Sequence, residues 1–102
     1  MQLSAQQGRL NIYLHVLRLG RDLQVICGGG DSHIGAVALA APESGQVQTR
    51  LLALPGHKED ALALRMAQHM AQELHCAVCV SAGIHYDNIT REEIQQVEQM
   101  VQ

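Results

Sequence analysis

Three histidines lie in glycine-bearing segments where chemistry can gather: His33 in Gly28-Gly29-Gly30-Asp31-Ser32-His33, His57 in Leu54-Pro55-Gly56-His57-Lys58-Glu59, and His85 in Gly83-Ile84-His85-Tyr86-Asp87-Asn88. Two or three imidazoles with a carboxylate such as Asp31 or Asp87 can hold a divalent transition metal. Taken singly, each reads more readily as a surface loop histidine satisfied by water. The same segments also suit an anion. Successive glycine N–H groups, with the helix N-terminus and cation expected near His57 and Lys58, can cradle a phosphate. The plain alternative for the triple glycine is a flexible hairpin. It is neither a dinucleotide fingerprint nor a P-loop.

Other chemistry is poorly supported. Cys76-Ala77-Val78-Cys79 has the CxxC form, but residues three apart on a strand point to opposite faces, so both are read as core hydrophobes. Cys27 is read the same way. Ser81 lacks a nucleophile-elbow motif. Asp31 and Asp87 sit beside Ser and Asn, which is ordinary turn chemistry.

The segments must be positioned by regular elements. Residues 1–9 read as a polar lead-in and residues 10–102 as one domain. From Leu10, Leu-Ile-Leu-Val alternate with Asn11, Tyr13 and His15, the pattern of a half-buried strand. Leu19-Gly20-Arg21-Asp22 is a hairpin turn. Leu23–Cys27 is a second strand that the triple glycine is expected to break. His33–Ala41 and Val47–Leu54 are the third and fourth strands, joined by a turn at Pro42-Glu43-Ser44-Gly45. From about Lys58 to His75 the period becomes helical, with Leu62, Met66, Met70 and Leu74 recurring every four residues. Cys76–Val80 is apolar on both faces, as an inner strand would be. Thr90, Glu93 and Ile94 sign a second helix through a capping box and staple.

The expected order is ββββαβα: an α+β domain with a largely antiparallel sheet of about five strands and two helices. Tracing strand directions puts the triple glycine, Pro55-Gly56-His57 and Gly83–Asn88 at one end of the sheet, provided the last strand joins it.

The bulk numbers narrow the classes. The 102 residues allow one small domain, and 47% apolar residues suffice for its core. Net charge is −3, with 2% aromatics and no basic run, so a nucleic-acid partner is not expected. No stretch approaches the ~20 apolar residues of a membrane span. The start lacks the basic and apolar regions of a signal peptide, so a cytoplasmic protein is expected. Three cysteines argue against a disulfide framework.

The stretches Gly28–Val37, Leu54–Asp60 and Gly83–Ile89 resemble those of the prenylated-flavin chaperone family, typified by the small accessory component of gallate decarboxylase. The resemblance implies an accessory protein, not an enzyme. It would bind prenylated FMN and pass it from a flavin prenyltransferase to a prenyl-FMN-dependent decarboxylase. It also implies a fold similar to that of proteasome-assembly chaperones, and a homodimer. Within that resemblance Gly28, Gly29, Gly30, Asp31, Gly56, His57, Lys58 and Tyr86 would contact the cofactor, and His33, His57 and His85 would hold any metal. Scarcity of aromatic side chains departs from ordinary flavin sites. Two rival readings use the same residues differently: a small metal-dependent hydrolase or lyase with Asp31 or Asp87 as base, and an interaction module without a ligand.

Overall fold

A computed structural model describes residues 2–7, 9–30, 32–54 and 60–85. Six strands and one helix follow one another: β1 (Gln2–Gln7), β2 (Leu10–Leu19), β3 (Asp22–Gly30), β4 (Ala36–Glu43), β5 (Gln46–Ala53), α1 (Asp60–Leu74) and β6 (Val78–His85). They form one sheet in the order β1-β2-β3-β6-β4-β5. Every neighbouring pair is antiparallel except β3 and β6. The last strand therefore does join the sheet, and at its centre, as the two-faced apolar pattern around Val78 implies.

Local chemistry explains the elements. Gly20 (φ 62) opens the two-residue turn between Leu19 and Asp22. Ser44 (φ 52) and Gly45 (φ 81) join Glu43 to Gln46, both in the left-handed region that a type I′ hairpin requires. Asp60 opens α1, its Oδ1 accepting from the Ala61 N–H at 2.8 Å. The helix closes at Leu74. His75 follows in the left-handed conformation (φ 53), its N–H donating to Ala71 O at 2.9 Å.

The core lies between the sheet and α1. Inward positions of β4 are all alanine (Ala36, Ala38, Ala40), and the buried stripe of α1 carries Ala63, Ala67 and Ala71 beside Leu62 and Met66. Small residues on both surfaces let the helix lie close to the sheet. Leu10, Ile12, Val25, Cys27, Val78, Val80 and Ala82 complete the cluster. Burial pushes the Cys27 thiol up to about 12, so it stays protonated and inert at neutral pH. Cys76 and Cys79 are half-buried.

Four expectations need correction. The triple glycine does not break β3: it forms the strand's last three residues. Glycine permits a turn but does not impose one, and here β2 pairs with Gly28 and Gly29 and β6 with all three. The polar lead-in contains β1, an edge strand whose inward face carries as apolar residues only Leu3 and Ala5, too little apolar surface for a hydrophobicity reading to register. The last strand begins at Val78 and continues through Gly83 to His85, later and longer than Cys76–Val80. The third strand begins at Ala36 because residues 32–35 are spent crossing to it. The described residues contain one helix; the second, expected from Thr90, lies outside them.

Candidate functional site

Strand registers fix which segments meet. Gly28, Gly29 and Gly30 pair with Gly83, Ile84 and His85 of the parallel neighbour. On the other side of β6, Ala36 at the start of β4 pairs with Ala82. Ala36 also pairs with Ala53 at the end of β5. The ends of β3, β5 and β6 and the beginning of β4 thus share one edge of the sheet, the edge at which His33 and His85 lie.

The connection from β3 to β4 must pass β6, which lies between them. Residues 32–35 make that crossing on top of β6. Gly35 N–H donates to Ala82 O at 2.9 Å and His33 N–H to Gly83 O at 3.5 Å, while Leu54 N–H donates to Gly35 O at 2.8 Å. A Cβ built on Gly83 would land on the main-chain carbonyl of His33. Gly83 is therefore the floor the crossing rests on, and it holds the His33 main chain against the sheet.

Gly28 and Gly29 are buried and pair on both sides, so their amides belong to the ladders. Gly30 is different. Pairing with β2 stops at Gly29, Gly30 is exposed, and its φ is 60. It is the triple-glycine residue with main chain facing solvent, at the strand tip where the left-handed turn begins.

Of the expected metal trio, His33 is half-buried on the crossing, and His85 is the last residue of β6, beside Gly30. His57 lies outside the described residues, as do Asp31, Gly56, Lys58 and Tyr86. Among the described residues no group of three or more His, Cys, Asp or Glu side chains is arranged to hold a metal. Those residues do not by themselves make a metal centre.

One side chain at this end escapes a reading of the sequence: Tyr13, which there is only the outward face of a strand. It pairs with Gly28 across the ladder. A Cβ on Gly28 would fall on the Tyr13 phenol and within 2.9 Å of Ser32 Oγ. The signal is a tyrosine opposite a glycine, which emerges only once the register is known. Away from this end, a groove of about 640 Å³ runs between α1 and β2, lined by Leu14, Leu62, Arg65, Met66, His69 and Met70. None of the expected site residues lines it.

Comparison with known proteins speaks to the family and the fold. The model of the prenylated flavin chaperone LpdD-like domain matches residues 6–102, so the chain belongs to that family. No curated protein matches. A chain from the crystal structure of a chaperone complex for yeast 20S proteasome assembly is similar in fold, with a TM-score of 0.60 at 11% identity, covering 97% of this chain and 86% of the other. At that identity the likeness speaks for the fold alone. No helix among the described residues is long and apolar enough to cross a membrane.

Proposed function

We propose, from membership of the prenylated-flavin chaperone family, that this chain binds prenylated FMN at the shared sheet edge without turning it over. It receives the cofactor from a flavin prenyltransferase and delivers it to a decarboxylase apoprotein. The observation that carries the reading is the family match over residues 6–102; the register that brings Gly30, His85, the 32–35 crossing and the end of β5 to one edge supports the location.

The chemistry is that of holding and release. Main-chain N–H groups at the exposed Gly30 tip, with Asp31, Gly56, His57 and Lys58, would meet the phosphate end. The crossing would meet the ring, with Tyr86 close in sequence to His85. A divalent transition metal on His33, His57 and His85 would neutralise phosphate charge when bound. A carrier needs no positioned acid, base or nucleophile, and the protonated, buried Cys27 supplies none. The reading includes a homodimer in the cytoplasm. Leu17, Ile26, Leu39 and Leu52 leave apolar surface exposed on the sheet face away from α1, which supports association.

The test is anaerobic co-expression with a flavin prenyltransferase, then purification, a visible spectrum and metal analysis. Prenylated flavin is expected to co-purify near one per chain and to fall at least several-fold in His33→Ala and His57→Ala variants. Folded protein emerging without flavin would overturn the reading. Metal content independent of the three histidines would remove the metal from it.

A further inference from the structure

Tyr13 and Tyr86 are the chain's two tyrosines, and it has no Phe or Trp. A flavin site normally presents a flat apolar or aromatic surface to the ring, because a wide π-system gains most from offset stacking and loses little polar hydration there. Tyr13 lies on β2, on the sheet face that does not carry the buried row Leu10 and Ile12. The cross-strand row it stands in begins at Ser4 in β1, and beyond Tyr13 come two further partners, Gly28 in β3 and then Gly83 in β6. Neither partner has a side chain. The phenol occupies the space above Gly28, in company with Ser32 Oγ. Above Gly83 lies the His33 main chain. Tyrosine ring, Ser32 and the crossing therefore form one continuous shelf across three strands. The crossing also carries Ile34, 63% exposed. Tyr13 itself is half-buried.

We infer that Tyr13 is a ligand-contact residue of the carrier site, its ring forming one wall of the isoalloxazine pocket on the sheet face opposite α1. This rests on the flavin-carrier reading and adds to it the face of the sheet and the aromatic group that receives the ring. The phosphate then belongs at the strand tips around Gly30, and the ring runs inward from there along the shelf. The side-chain-free pair Gly28 and Gly83 has a double use: it admits the phenol and the crossing close to the sheet, and it keeps bulk out of the space in front of them.

The experiment uses the full chain, loaded with prenylated FMN by anaerobic co-expression, in wild-type, Tyr13→Phe and Tyr13→Leu forms. Flavin stoichiometry, the visible spectrum and flavin fluorescence are read together with a thermal melt. Wild-type loading tests the carrier reading itself; an empty wild type removes that reading and this inference with it. Given a loaded wild type, Tyr13→Phe is expected to retain flavin within about two-fold. Tyr13→Leu is expected to lose ten-fold or more, with any residual flavin showing a shifted spectrum and higher fluorescence. A folded Tyr13→Leu protein carrying flavin with an unchanged spectrum would overturn the inference while leaving the carrier reading standing. So would a Tyr13→Phe protein as empty as Tyr13→Leu, because the ring would then not be what carries binding. Should Tyr13→Leu fail to fold, Tyr13→Met takes its place under the same criteria.

Discussion

Gly83 shows how a single missing side chain can position a site. The His33 carbonyl rests where a Cβ would be, and main chain cannot swing aside as a flexible side chain can. Either the crossing lifts or β6 shifts. Overpacking of this kind typically costs about 1–3 kcal/mol. A Gly83→Ala variant is therefore expected to unfold at lower denaturant concentration with an unchanged slope. Because the crossing must move, flavin retention is expected to drop as well. A variant as stable as the wild type would mean that the crossing is not seated on β6. At this scale the sequence is partly legible. The glycines stand out, but their purpose does not: a glycine needed for close approach across strands looks the same as a glycine needed for a turn. Tyr13 is invisible for a related reason, since its meaning comes from Gly28 opposite it.

At the scale of elements, local signals do well where the physics is local. The alternation from Leu10 and the four-residue recurrence of Leu62, Met66 and Met70 correspond to β2 and α1. The strand directions implied by short turns agree with those observed, which is why the shared edge can be anticipated at all, although β3 and β4 form no hairpin because β6 lies between them. What is lost depends on neighbours. The polar edge strand β1 is held by its ladder with β2, and the glycine-rich ends of β3 and β6 are held by each other. Such strands carry little hydrophobic period of their own. Turns are local again and allow a direct prediction. Ser44 occupies the first left-handed position of the β4–β5 hairpin (φ 52), where asparagine is better suited. Ser44→Asn is expected to stabilise the chain by roughly 0.5 kcal/mol, seen as a raised midpoint in urea. A lowered midpoint would contradict the turn assignment.

For the whole molecule, the division of labour is between two faces and one edge of a single sheet. One face is spent on the core with α1, through alanines that admit close packing. The other leaves Tyr13, the crossing and several leucines accessible. The edge gathers the glycine tip of β3 and the end of β6. Family membership points to prenylated flavin, and the proposed place for it is this edge. Hydrogen exchange of backbone amides, measured anaerobically with and without prenylated FMN, tests this placement. Ligand-dependent protection is expected in Gly30–Gly35 and Gly83–His85, with little change in the β4–β5 hairpin. Protection confined to α1 and β2 around Leu14 and Met66, or none in protein shown to hold flavin, would contradict it.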